Sequence, residues 1–239
     1  MMVFMLSDVG NTREINEDFV CHYEDDRIRI YVIADGMGGH NAGDVAAKLA
    51  SEAVVSYVKE AADITDPIYL LQSAFKFAND EVFNASVSSE KLNGMGTTLT
   101  VVFIYREVIH VGHVGDSSCF AIKGEKIKKI TKDHSFVQYL IDTGSITKEQ
   151  AKSHPRKNLI TRAIGTKEEL IVDTYQLPIS LAEYIVLSTD GLTNYIDEEE
   201  ICDLVVNNSI EDACTQMINI SKERGGKDNI TVLIVGGMS

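Results

Sequence analysis

The stretch Val32-Ile33-Ala34-Asp35-Gly36-Met37-Gly38-Gly39-His40 decides how the rest of this 239-residue chain is read. It opens as the end of an apolar run, Ile30 to Ala34, with the character of a buried strand. One carboxylate, Asp35, then stands directly before three glycines in four residues. Gly36, Gly38 and Gly39 let the backbone turn sharply and let a ligand approach main-chain atoms. Such a strand end offers a carboxylate and a bare carbonyl, both hard oxygen donors suited to magnesium or manganese. A single Asp-Gly after a strand is ordinary turn chemistry. Repetition gives it weight.

The device recurs. Gly115-Asp116-Ser117, Thr189-Asp190-Gly191 and Lys227-Asp228-Asn229 read as further apolar β runs ending in an acid beside a small or turn-forming residue, and Glu17-Asp18 adds an acidic pair. These carboxylates are expected to converge at one sheet edge, where they repel one another unless a cation sits between them. The set contains no cysteine, and its histidines lack ligand spacing. A hard, octahedral, oxygen-liganded ion is therefore favoured over zinc. His110 and His113, three apart on an expected strand, face opposite ways and make no metal pair.

Composition narrows the class. With 22 basic against 36 acidic residues, the net charge is −14, and no basic cluster is read. That argues against nucleic-acid binding, which needs lysines and arginines along one face. The apolar share of 44% and 3 prolines describe an ordinary globular chain without linker or repeat, read as one domain, 1–239. Cys21, Cys119, Cys202 and Cys214 are scattered and include no Cys-x-x-Cys, which favours reduced thiols and a cytoplasmic protein. Met1 to Leu6 is too short for a signal peptide, and no apolar run approaches the roughly 20 residues needed to span a bilayer, so no membrane is involved. A monomer is expected.

Periodicity places the elements. Strands are expected at Phe4–Asp8, Phe19–Tyr23 and Arg27–Ala34. A helix over Ala42–Val58 shows a stripe of Ala42, Ala46, Leu49, Ala53 and Tyr57. Asp66-Pro67 starts the next helix, with Leu70, Leu71, Ala74, Phe77, Ala78 and Val82 as its stripe. Thr97–Tyr105, Val108–Val114, Cys119–Ile122 and Ile127–Thr131 read as an antiparallel meander. The polar segment 135–158 carries a capping-box pattern at Thr147 to Gln150 and reads as a subdomain on the surface beside the core. Strands at Leu170–Gln176 and Tyr184–Ser188, helices at Asp197–Val206 and Ser209–Arg224, and a strand at Ile230–Val235 close the chain. The order suits an α+β fold of two stacked antiparallel β-sheets flanked by helices, an α-β-β-α sandwich.

These residues match a known pattern. The sequence resembles the bacterial branch of the metal-dependent serine/threonine phosphatases, the protein phosphatase 2C family. The matching motifs are Arg13 with Asn16-Glu17-Asp18, Ala34 to His40, Gly96-Thr97-Thr98 and Val114 to Ser117. Asp133-His134-Ser135, Thr161 to Gly165, Ser188 to Leu192 and Lys227 to Thr231 follow in family order. The resemblance implies two cations, manganese or magnesium, bridged by Asp35, with the Gly36 carbonyl on one and Asp190 and Asp228 on the other. It implies that Glu17 and Asp18 act through metal-bound waters and that Asp116 joins Asp190 at a third site. Two cations about 4 Å apart would activate a water for in-line attack on phosphorus. Arg13 would clamp two phosphate oxygens with its planar fork.

By resemblance the substrates are phosphoserine and phosphothreonine in phosphoproteins, and a partner is the opposing bacterial serine/threonine kinase. Where animal members carry a histidine general acid after Asp-Gly, this chain has Met37; His40 is one substitute, a water on the third metal another. His134 reads as loop support, and Arg162 as structural or substrate-contacting. A catalytically silent relative that binds partners through the same cleft is the rival class, and keeping Asp35, Asp190 and Asp228 together argues against it. A phosphatase dedicated to one regulatory protein is the narrower alternative.

Overall fold

The apolar run before Asp35 becomes a central strand, and both layers of the molecule are built outward from it. The computed structural model describes residues 1–38 and 42–238. Three strands come first, β1 (Met2–Asp8), β2 (Asp18–Glu24) and β3 (Arg29–Met37), then helices α1 (Gly43–Glu60) and α2 (Pro67–Ser88). Next are β4 (Gly96–Thr97), β5 (Leu99–Tyr105), β6 (Val108–Val114), β7 (Ser118–Lys123) and β8 (Lys126–Lys129). Short helices α3 (Phe136–Asp142) and α4 (Lys148–Lys152) precede β9 (Asp173–Pro178) and β10 (Tyr184–Ser188). The chain continues through α5 (Asp190–Thr193), α6 (Glu198–Asn207) and α7 (Ile210–Glu223) to β11 (Ile230–Gly236).

One antiparallel sheet runs β2-β3-β5-β6-β9, with β4 paired to β3; the other runs β1-β11-β10-β7-β8. Alternation along each strand sends side chains to two different apolar layers. From β3, Ile30 and Val32 face α1 and α2, where they meet Ala46, Val54, Leu71 and Phe75. Tyr31 and Ile33 face the second sheet and meet Leu187 and Leu233. On the far side, Val186 and Ile234 pack under Val205 and Met217 of α6 and α7. The α-β-β-α sandwich expected from the element order is the fold observed.

The helix ends follow local chemistry. The Asp66 carboxylate accepts from the Ile68 and Tyr69 amides, Ser209 caps α7 through the Asp212 amide, and Thr147 with Gln150 forms the full reciprocal box at α4. Among the described residues no helix is long and apolar enough to cross a membrane.

Several expectations are corrected. The four runs from Thr97 to Thr131 are not one meander: β5 and β6 belong to one sheet, β7 and β8 to the other. The crossing is made at Gly115, whose φ of +118° only glycine adopts easily and whose missing Cβ leaves room for Thr98. Of the expected α1 stripe Ala42, Ala46 and Ala53 are buried and Leu49 and Tyr57 half-buried, while Ala47, Ala50, Val54 and Val58 widen the buried face; in α2 Phe75 is buried while Phe77 is exposed against Tyr57. The strand expected from Leu170 begins only at Asp173. The acidic chain also holds a basic run that the charge reading passed over: Lys123, Lys126, Lys128, Lys129 and Lys132 sit on and just after the β7–β8 hairpin.

Candidate metal centre and active-site cleft

Strand geometry delivers the acids to one edge. Asp35 lies inside β3, and Asp18, the first residue of β2, is directly opposite it in the register. Like charges in that relation are destabilising. Asp190 begins α5 immediately after β10, and Asp228 stands just before β11. Because β10 and β11 are antiparallel, with Ser188 opposite Val232, the end of one and the start of the other share an edge. Asp228 thus opens a strand where the sequence reading made it close one; antiparallel pairing brings it to the same place. Asp116 lies in the crossing from β6 to β7.

Gly36 is pinned at this edge. Its amide donates to the Glu17 carbonyl at 3.0 Å, and a Cβ there would strike the Gly43 and Glu17 carbonyl oxygens. Any side chain would push β3, the loop before β2 and α1 apart.

Glu17, Asp35, Asp116, Asp190, Asp228 and Arg13 line a cavity of about 240 Å³, together with Gly36 and Met37. Asp18 lies beside them, buried. Its Oδ2 accepts from the Thr189 and Thr231 hydroxyls at 2.9 and 2.6 Å, while its Oδ1 is buried without a partner among the described residues. Burial first, then the neighbouring acids, pushes these carboxyls up: Asp18 to about 7, Asp190 to about 6 and Asp116 to about 8. Asp35 is driven well above the carboxylate range by burial and by Asp18, Asp190, Asp116 and Asp228. Partial burial raises Glu17, against the Gly43 amide that bonds its Oε1 at 3.2 Å.

The donor chemistry fits hard divalent cations. Apart from Met37 and Arg13, every side-chain donor atom offered by the cavity is an oxygen or an amide, the charged ones are carboxylates, and Asp18 beside them has an oxygen buried without a partner among the described residues. As placed, no group of three such residues among the described ones stands close enough to cage a single ion. Binding would draw the carboxylates inward.

Arg13 departs from the free clamp that was expected. Its Nε and Nη2 meet Oδ1 and Oδ2 of Asp228 at 3.0 and 3.1 Å, a two-pronged carboxylate pair at the rim. Partial burial opposes its charge, and Asp228 outweighs this, raising its pKa. Met37 lines the cavity and has no proton to give; His40 lies outside the described residues. His134 and Arg162 turn to Asp173 at 3.1 and 2.7 Å and do not line the cavity, which favours the structural reading of both. His110 and His113 face opposite layers, His110 toward Phe103 under the helices and His113 toward Thr100 and His134.

Residues the sequence reading left without a role complete the edge. Asn229 accepts from the Glu17 amide and donates to the Val9 and Ile15 carbonyls, tying the loop before β2 to β11. Asn194 donates to Asp190 at 3.1 Å and accepts from Lys157 at 2.9 Å, linking the 135–158 segment to the acid edge. Asn229 stood inside a quoted motif; Asn194 carried no local signal. A larger groove of about 480 Å³ adjoins the cavity, with Asp116, Asn158 and Asp190 common to both and Val137, Ile141 and Lys152 from α3 and α4 on one wall.

Comparison with known proteins decides the family. A model described as protein phosphatase 2C matches residues 11–233. The chain belongs to the protein phosphatase 2C family. Protein phosphatase PhpP of Streptococcus pneumoniae is 36% identical over 238 residues, covering 98% of this chain and 97% of its own. Serine/threonine phosphatase stp of Listeria monocytogenes is 36% identical over 234 residues, covering 96% and 93%. Among solved structures, Stp1 of Staphylococcus aureus superposes with a TM-score of 0.92 at 32% identity, over 98% and 94% of the chains. The catalytic domain of the phosphatase PstP in complex with two manganese ions gives 0.85 at 30% identity, over 98% and 96%. The sandwich described above is thus the protein phosphatase 2C fold.

Proposed function

We propose that this protein phosphatase 2C chain hydrolyses phosphoserine and phosphothreonine in phosphoproteins, using two divalent cations, manganese or magnesium, and a third beside them. The observation that carries the reading is the meeting of five acids from both sheets in one small cavity, with burial and mutual repulsion holding the charged forms of Asp35, Asp116 and Asp190 at a disadvantage. The manganese in PstP and the names of the PhpP and stp relatives support it. Asp35, the Gly36 carbonyl, Asp190 and Asp228 would hold the two ions, with Glu17 and Asp18 acting through waters and Asp116 joining Asp190 at the third. When bound, the ions would lower the pKa of a water between them and polarise the phosphoryl oxygens.

The chain's own residues do the rest. Arg13 stands at the rim, where its planar fork can exchange the Asp228 carboxylate for two oxygens of a phosphate ester. Asn194 holds Asp190 in orientation, and Asn229 holds the loop that carries Glu17. The 135–158 flap, walling the adjoining groove, shapes which phosphoprotein segment reaches the cavity. The biological setting proposed with this activity is a cytoplasmic monomer opposing a serine/threonine kinase. The free thiols of Cys21, Cys119, Cys202 and Cys214 are in keeping with that compartment.

The test is phosphate release from a phosphothreonine peptide by wild type and Asp190→Ala, each in EDTA and in added manganese. Activity that requires manganese and collapses in the variant is expected. Manganese binding without turnover in wild type would return the chain to the partner-binding reading.

A further inference from the structure

Asp18 is a buried carboxylate that touches no basic side chain among the described residues, and its two oxygens are treated differently. Thr231 Oγ1 lies 2.6 Å and Thr189 Oγ1 2.9 Å from Oδ2, and Oδ1 has no partner. A threonine hydroxyl has one proton to donate. Thr189 gives its proton to Asp18 and accepts the Thr231 amide at 3.0 Å. Thr231 also spends its proton on Asp18, so Ser7 Oγ, 2.7 Å away, must donate to Thr231. Ser7 in turn accepts from Asn16 Nδ2 at 2.8 Å. Every proton in the series Asn16, Ser7, Thr231, Asp18 therefore points the same way.

The series spans the two layers. Ser7 is on β1, Thr231 on β11 and Thr189 at the end of β10, all in one sheet, whereas Asp18 is on β2 in the other. Oδ2 is saturated from the far sheet. Oδ1 is left free on a carboxylate whose register partner is Asp35 and on which the charges of Asp190 and Asp228 press. Once ionised, a free carboxylate oxygen among other acids is complemented by a cation. Nearby buried hydroxyls are not all recruited in this way: Ser118 and Ser188 have no partner.

We propose that Thr231 and Thr189 are positioning residues for the cation site, capping Asp18 Oδ2 so that Oδ1 is the oxygen presented to the ion and its waters, with Ser7 and Asn16 orienting Thr231. This rests on the functional reading above and extends it to side chains that touch neither ion nor phosphate. Partners of this kind govern metal affinity by about 10–100-fold.

The test is manganese binding to the full chain by isothermal titration calorimetry, with metal-free melting temperature and p-nitrophenyl phosphate turnover measured beside it. Thr231→Val is expected to bind manganese about 10-fold or more weakly, Thr231→Ser to stay within about 3-fold of wild type, and Ser7→Ala to fall between them. The ester KM at saturating manganese is expected to be unchanged. Wild-type affinity in Thr231→Val overturns the proposal, as does an equal loss in Thr231→Ser, which would assign the effect to the lost methyl packing. Should Thr231→Val fail to fold, Thr189→Val and Ser7→Ala carry the test, and unchanged binding in both overturns it. A wild-type chain that neither binds manganese nor turns over ester removes the functional reading and this inference together; one that does both beside an unaffected Thr231→Val removes this inference alone.

Discussion

Two clusters of titratable groups lie on either side of Gly115, and their charges are organised in opposite ways. On one side Asp18, Asp35, Asp116 and Asp190 crowd together, with Arg13 at the rim. On the other, Asp173 receives Arg162 at 2.7 Å and His134 at 3.1 Å, while His134 Nδ1 accepts the Gly115 amide at 3.1 Å. That amide bond leaves the neutral imidazole proton on Nε2, aimed at Asp173. His113 stacks on His134 at 4.9 Å between ring centroids, and burial pushes it down to about 3, so it stays neutral. The Asp173 cluster is balanced and ties the base of the flap to β9. The acid cluster is unbalanced and keeps a place for something positive. The balanced cluster is partly open to solvent at Asp173 and Arg162; only the unbalanced one calls for a ligand.

The sharpest way to break this distinction is to exchange the effects of mutation. Asp35→Asn is expected to lower phosphothreonine-peptide turnover by roughly 1,000-fold, about 4 kcal/mol of transition-state stabilisation. The same change relieves about 1 kcal/mol of cross-strand repulsion, so in EDTA its melting temperature should rise by about 2–4 °C. Asp173→Asn should show the reverse: urea denaturation finds it about 1–3 kcal/mol less stable, while turnover at saturating manganese stays within a few-fold. If Asp35→Asn destabilised the metal-free chain and Asp173→Asn did not, charge balance would not be what separates the clusters.

Titration sharpens the comparison. The unfolded chain ionises its aspartates near 3.8, whereas folded Asp190, Asp18 and Asp116 hold their protons to about 6, 7 and 8. The folded state therefore binds more protons, and metal-free stability falls as pH rises toward 8. Histidine works against this below its ordinary value of 6.5, because His113 stays neutral in the fold and charges when unfolded. Between about 4 and 6.5 the two clusters oppose each other; above 6.5 only the acids titrate. Melting temperatures in EDTA should decline from pH 6.5 to 8, and manganese should abolish the decline. A flat profile in EDTA would mean that the acids are ionised already.

The smallest effect concerns the flap. Thr147→Ala removes the hydroxyl half of the α4 capping box and should cost about 1 kcal/mol of local helix stability. We expect a raised KM for a phosphoprotein and none for p-nitrophenyl phosphate. Equal shifts on both substrates would place the flap inside the chemistry and outside recognition.

What could be read in advance was local. Asp-Gly and Asp-Asn steps, capping pairs at Asp66 and Ser209, and strands such as 184–188 carry their signal within a few residues, and they came out in place. The crossing at Gly115 did not, because a glycine turn looks the same whether the chain folds back in its own sheet or leaves for the other. The α1 stripe was legible only in part: Ala42, Ala46 and Ala53 are buried as expected, whereas Ala47 and Ala50, alike in apparent hydrophobicity, are buried too by packing on β3. The acids themselves were found, and family resemblance ordered them. Their supports were out of reach: Thr189 and Thr231 meet Asp18 across 171 and 213 residues of chain. The pairing of Arg13 with Asp228 spans 215.

One consequence follows from the way the acid edge is shared between layers. Asp18 and Asp35 belong to one sheet, while Asp190 and Asp228 adjoin strands of the other. A cation held among them is a rivet through the sandwich as well as a reagent. Chelation would leave that end of the two sheets with only its repulsions, opening the first residues of β2 and β11 to hydrogen exchange and to proteases. Manganese supply would then set how long the protein survives in a cell as well as how fast it works.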